Sequence, residues 1–184
     1  MVDKAALKEC KRILEIGSCG TGKSTFAKFL GQKLNLEIIH LDKLYWMPNW
    51  VIRNNDEMKE MLSKAVLKDN WIMDGNGSKT LYIRAPRADL IFFFDYAPYF
   101  CVFRILKRNL KTKLGLEVRT DLTEGCPEKW FDWGFVKYTW NFKKNYIPPT
   151  YKALEELNFN KNKLLIFKNH REFKKYLQNL GELS

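Results

Sequence analysis

Residues Gly17-Ser18-Cys19-Gly20-Thr21-Gly22-Lys23-Ser24-Thr25 decide the fold. They match G-x-x-x-x-G-K-[ST], a loop whose glycines let consecutive backbone N–H groups turn inward around an anion. The flanks separate a real site from a chance match. The apolar run Arg12 to Ile16 precedes the loop, and a helical pattern runs from Lys23 to Leu34 after it. A strand, a Gly-rich turn and a helix in that order aim the positive end of the helix dipole at the anion. In such a loop Lys23 reaches the β- and γ-phosphates as a point charge, and the Ser24 hydroxyl ligates Mg²⁺. The nine residues Gly17 to Thr25 are therefore the candidate nucleotide-phosphate site.

Four more apolar runs read as buried strands: Glu37 to Leu41, Trp71 to Asp74, Asp89 to Asp95 and Lys163 to Phe167. They lack polar alternation, which suits a parallel sheet covered on both faces. Helical patterns lie between them, over Asn55 to Lys68, Tyr99 to Lys113 and Phe131 to Lys144. A last helix spans Arg171 to Leu180, with Asn169 as its N-cap. This alternation predicts an α/β fold, a three-layer α/β/α sandwich on a five-stranded parallel sheet. No repeat or Gly/Ser linker divides the chain, so residues 1–184 read as one domain. The polar segment Gly115 to Lys129 breaks the rhythm and reads as a mobile flap.

The 184 residues are 46% hydrophobic, enough for one sizeable core. Lys and Arg outnumber Asp and Glu by 32 to 21, and the net charge of +11 suits a polyanionic or phosphorylated partner. Cys10, Cys19, Cys101 and Cys126 form no C-x-x-C pair, and only two histidines accompany them, which argues against zinc. The N-terminus lacks a signal-peptide core, and Leu90 to Phe94 is too short to span a bilayer. The expectation is a soluble, reduced, cytoplasmic protein without a membrane partner.

Three aspartates end or follow predicted strands: Asp42, Asp74 and Asp95. In an open parallel sheet the ligand lies beyond the carboxyl ends of the strands. Either Asp74 or Asp95 could hold Mg²⁺, and Asp42 could orient an acceptor hydroxyl and take its proton. His40 is expected to point away from Asp42 or into the core. Arg104 and Arg108 are four residues apart and share one helix face, where they can neutralise charge on a transferring phosphoryl group. Arg119 lies in the flap and would arrive on closure. Tyr45, Trp46 and Trp50 follow Asp42 and could stack a base or sugar, or simply cover the core. The base-reading N-K-x-D of a GTPase is missing, and the chain is short for a motor or a recombinase-like ATPase. These points favour a small-molecule kinase.

With these residues placed, the chain resembles the small P-loop kinases, which include adenylate, shikimate and gluconate kinases. It is most similar to the bacterial topology modulation proteins related to FlaR, which are adenylate-kinase-like. Beyond the loop, four blocks carry the resemblance: His40 to Trp50, Trp71 to Leu90, Cys101 to Arg108 and Arg119 to Phe131. The resemblance implies that Arg104 and Arg108 touch the donor nucleotide, and that Asp74 stands near Mg²⁺. It also implies an acceptor-binding role for Asp42 and a LID over residues 115–129. Adenine would lie near Asn169-His170-Arg171. The chain departs from the family at Gly77 (usually aromatic), Lys79 (usually Arg) and Thr120 (usually Pro). It also lacks D-G-F-P-R, reading Asp74-Gly75-Asn76-Gly77-Ser78, which argues against AMP as acceptor.

The resulting expectation is a phosphotransferase using ATP and Mg²⁺, with the acceptor held by Asp42, Trp46, Asp74 and Arg84. The acceptor would be a nucleoside, a nucleotide or another hydroxyl compound, and the protein a monomer or homodimer. The rival expectation is a DNA-associated ATPase that reads phosphate backbones and uses ATP as a switch.

Overall fold

The computed structural model describes residues 3–116, 122–126 and 131–181. Its strands are β1 (Arg12–Gly17), β2 (Ile38–His40), β3 (Trp46–Met47), β4 (Val51–Ile52), β5 (Trp71–Asp74), β6 (Leu90–Phe94) and β7 (Leu164–Phe167). Its first helices are α1 (Lys4–Glu9), α2 (Lys23–Leu34), α3 (Leu41–Tyr45), α4 (Asn55–Ala65) and α5 (Leu81–Arg84). After β6 come α6 (Pro98–Lys113), α7 (Trp133–Asn145), α8 (Ile147–Glu156) and, last, α9 (His170–Leu180).

Five strands form one sheet in the order β2-β5-β1-β6-β7, and every neighbouring pair is parallel. The predicted five-stranded parallel α/β fold is therefore the observed one. Both faces are covered, which is why β6 carries an unbroken Leu-Ile-Phe-Phe-Phe run with every residue buried. Side chains alternate between the faces. Ile13, Ile72, Phe92 and Phe94 pack with Phe26, Ala27 and Leu30 of α2 and with Phe173 and Tyr176 of α9. Leu14, Met73, Ile91 and Phe93 pack on the other face against Leu62 of α4, Phe142 of α7 and Leu154 of α8.

Several short elements differ from the sequence expectation. β2 stops at His40, and α3 begins at Leu41, so Asp42 stands in a helical turn and not beyond a strand. Trp46–Met47 and Val51–Ile52 pair as a small antiparallel hairpin. Helix α8 opens with Pro148 and Pro149 in its first turn, where their missing N–H groups cost nothing. Asn169 caps α9 as expected, accepting from the Glu172 N–H. Of the expected flap, residues 115, 116 and 122–126 are described. Arg119 and Thr120 lie outside the described residues. Gly125 O accepts from the Asn49 N–H at 2.9 Å, and Cys126 Sγ donates to Met47 O at 3.2 Å. That part of the segment thus rests on the β3–β4 hairpin.

Candidate active site at the carboxyl ends of the strands

The loop Gly17 to Thr25 joins β1 to α2 and wraps one end of a cavity of about 1410 Å³. Gly17, Cys19, Gly20, Gly22, Lys23, Ser24 and Thr25 line it. Ser18 and Thr21 are buried and hold the loop's shape, with Thr21 Oγ1 donating to Ser18 O at 2.9 Å. Two glycines are required here by space as well as by backbone angle. A Cβ on Gly17 (φ +135°) would meet Phe94 O at 2.4 Å, and one on Gly20 (φ +76°) would meet Cys101 O at 2.5 Å. Lys23 Nζ donates to Ser18 O at 2.8 Å, so its ammonium is folded against the loop.

Arg104 and Arg108 of α6 both line the cavity. A Cβ added to Gly22 would sit 3.4 Å from the Arg104 guanidinium, so that cation borders the loop directly. Arg104 also lies 5.7 Å from the Phe100 ring centroid, and Phe100 stacks on His170 at 5.9 Å. Burial, then Arg104, then Lys174 hold the His170 imidazole below its usual value, which favours a neutral ring. The three side chains form a stack at one side of the loop.

One rung of the sheet carries three ionisable groups. Glu15 pairs in register with Asp74, and Asp74 with His40, all on the face that α2 covers. His40 Nδ1 lies 3.2 Å from Asp74 Oδ2, and both residues line the cavity. The expectation was that His40 points away from Asp42 or packs into the core. His40 reaches the site because β2 ends there, and both it and Asp42 then face the same space. Glu15 was missed altogether. Its sequence signal was a lone carboxylate within an apolar strand, two residues from the core residue Ile13.

Glu15 is fully buried, and neither carboxyl oxygen has a hydrogen-bond partner. Burial first, then the neighbouring Asp74, push its carboxyl well above the usual range, against a lowering by Lys23. The unfolded chain ionises this group near its ordinary value of 4.5, while the folded chain resists ionisation. The stability that Glu15 contributes is thus full below that pH and is lost as pH rises toward its raised folded value. The substitution Glu15→Gln removes this dependence. The variant's stability relative to the parent is expected to rise by roughly 1 kcal/mol or more between pH 4.5 and pH 8. Urea midpoints at the two pH values check it, and an unchanged difference would show Glu15 to be ionised without penalty.

Two candidate residues are placed elsewhere. Asp95, expected to hold Mg²⁺, does not line the cavity. Alternation puts it on the sheet face opposite α2, with Phe93. There its Oδ1 lies 3.0 Å from Lys143 Nζ, and its Oδ2 lies 2.6 Å from Lys168 Nζ. It ties α7 to the end of β7. Arg84, expected to bind the acceptor, is fully buried and absent from the cavity wall. Its guanidinium donates to the carbonyls of Gly75 (3.0 Å), Asn76 (3.3 Å) and Gly77 (2.7 Å). It shapes the Gly75–Gly77 loop that lines the cavity, and touches the space only through that loop.

Asp42, Tyr45, Trp46, Trp50 and Asn55, from α3, the β3–β4 hairpin and the start of α4, also wall the cavity. Ser24 and Asp74 remain as the oxygen donors able to hold a divalent cation beside the loop, a set with the hard-ligand chemistry Mg²⁺ requires. Among the described residues, no group of three or more His, Cys, Asp or Glu side chains forms a metal site by itself, so a cation here would draw further oxygens from phosphate and water.

No family model matches the chain, and no curated protein does. Among solved structures, a crystal structure of shikimate kinase from Bacteroides thetaiotaomicron is similar to it at 20% identity. The alignment covers 95% of this chain and 98% of that one, with a TM-score of 0.47. Among the described residues, no helix is long and apolar enough to cross a membrane.

Proposed function

We propose that the chain is a phosphotransferase that moves the γ-phosphoryl group of ATP to the hydroxyl of a small acceptor. The observation that carries this reading is one continuous cavity. It joins the phosphate loop, Arg104 and Arg108 to a wall that bears Asp42, and its volume exceeds the usual range for one small ligand. ATP would seat its phosphates in the Gly17 to Thr25 loop, with its base on the Phe100–His170 stack. Ser24 and Asp74 would hold Mg²⁺, which when bound neutralises charge on the β- and γ-phosphates.

Asp42 would orient the acceptor hydroxyl and accept its proton. A new bond forms between that oxygen and the γ-phosphorus as the β–γ bridging bond breaks, and ADP leaves with the electron pair. Lys23, Arg104 and Arg108 supply fixed positive charge where the transferring group passes.

The substitution Asp42→Asn tests the reading. It is expected to lower acceptor-dependent ADP release by about 10²-fold or more while leaving the calorimetric binding of Mg·ATP unchanged. Undiminished turnover would remove Asp42 from the chemistry. No ATP binding by the parent protein would sink the reading as a whole.

A further inference from the structure

We infer that the acceptor end of the cavity takes an uncharged, hydroxyl-bearing compound with a flat ring, in preference to a phosphorylated acceptor. This rests on the phosphotransferase reading and narrows its substrate class.

The first observation is the wall. Tyr45 and Trp46 meet edge to face at 4.9 Å, and Trp46 and Trp50 do so at 5.5 Å with an interplanar angle of 80°. All three line the cavity beside Asp42. Rings that pack edge to face hold one another in place, and a fixed aromatic surface of this kind offers a planar ligand large apolar area.

The second is backbone strain at one member of that wall. Asn49 has φ +63° and Trp50 has φ +60°. Asparagine tolerates the left-handed region, but tryptophan rarely adopts it. Such a conformation persists only where the surroundings over-determine it, and it concentrates at ligand clamps. Here the β3–β4 pairing and the Asn49 N–H to Gly125 O bond hold the turn, and the result is an indole fixed in the cavity wall.

The third is charge. A phosphorylated acceptor calls for a guanidinium fork. Among the described residues, the two arginines that bond the segments bordering this wall are engaged with those segments. Arg84 is bound to three backbone carbonyls, and Arg53 donates to Leu44 O and to Glu57 Oε1. Lys59 and Lys79 stand exposed at the rim, with Lys59 Nζ 3.7 Å from Asp56 Oδ1. Among the described residues on the Asp42 side of the cavity, an acceptor phosphate would thus face the carboxylates of Asp42 and Asp74 with only the exposed Lys59 and Lys79 as counter-charge, while Lys23, Arg104 and Arg108 stand with the donor loop.

The test is calorimetry on the full chain, held with a non-hydrolysable Mg·ATP analogue. Ligands are nucleosides, hydroxymethyl-substituted heteroaromatics, the nucleoside 5′-monophosphates and non-aromatic polyols. At least one uncharged ring compound is expected to bind saturably, with its phosphorylated form about tenfold weaker or worse. The substitution Trp50→Asn is expected to weaken that ligand by about tenfold or more, with a thermal midpoint unchanged or higher, because asparagine tolerates the turn. Trp50→Phe keeps a ring and should retain most of the affinity.

The inference is overturned if a monophosphate binds tightest, if only polyols bind, or if nothing binds. Full affinity in a folded Trp50→Asn variant also overturns it. The ligand panel on the parent protein decides the matter even if the variant fails to fold. Ligands that bind are then given hydrolysable Mg·ATP in a coupled ADP-release assay, where ring binding without phosphoryl transfer would overturn the phosphotransferase reading and leave the ring preference of this end standing. Transfer to a monophosphate would do the reverse.

Discussion

Replacing Lys23 with alanine is expected to lower acceptor-dependent ADP release by about 10²–10³-fold, with little change in stability. The ammonium lies within the phosphate loop, and its one hydrogen bond is to Ser18 O at 2.8 Å. That bond is local, within a turn already held by Thr21 Oγ1 and by the tight packing of Gly17 and Gly20. Its loss leaves Ser18 O with the Thr21 hydroxyl from which it already accepts. In the proposed transfer the same ammonium would face charge that grows on the phosphoryl oxygens as the bridging bond breaks. A fixed cation in a partly closed site is worth far more there than in bulk water. The check is a coupled ADP-release assay beside a thermal unfolding scan. A variant that keeps its unfolding midpoint and its turnover would show that the loop is not the donor site.

The substitution Arg84→Met is expected to destabilise the protein by about 2–4 kcal/mol. Methionine replaces much of the buried volume but leaves the carbonyls of Gly75 and Asn76 without the Arg84 donor, while Gly77 O keeps the Thr80 N–H and hydroxyl. Each unsatisfied buried carbonyl costs about 1–3 kcal/mol, offset in part by no longer burying a cation. Burial lowers the Arg84 guanidinium to about 10, so it is still charged at neutral pH and donates in its full form. Arg84→Lys should retain part of the stability, since one ammonium can serve fewer of the three carbonyls. Denaturant unfolding measures both variants. Unchanged stability together with lost acceptor affinity would return Arg84 to direct substrate contact.

Both predictions concern residues singled out in the sequence, and they separate two kinds of legibility. Lys23 belongs to a motif whose members are neighbours in the chain, so spacing alone located it. Arg84 was read as a ligand contact because a buried arginine and a substrate-binding arginine look alike in one dimension. Its partners are seven to nine residues away, across a turn whose path only the folded chain reveals. Asp95 shows the same limit. Its place at the end of an apolar strand was legible, but the face it points to was not. Trp50 was noted for its ring, and its left-handed backbone had no sequence signal beyond the turn residues Pro48 and Asn49.

By itself the sequence determined the phosphate loop, the five core strands and the helices α2, α4, α6, α7 and α9, with small shifts at their ends. These follow from local periodicity and from glycine spacing, which act between residues close in the chain. The tertiary structure decided which of the three aspartates line the cavity, what Arg84 holds, and that His40 and Glu15 share a rung with Asp74. Alternation along a strand divides side chains into two sets without saying which set meets the ligand. That choice is made when α2 packs on one face of the sheet and leaves Asp95 on the other.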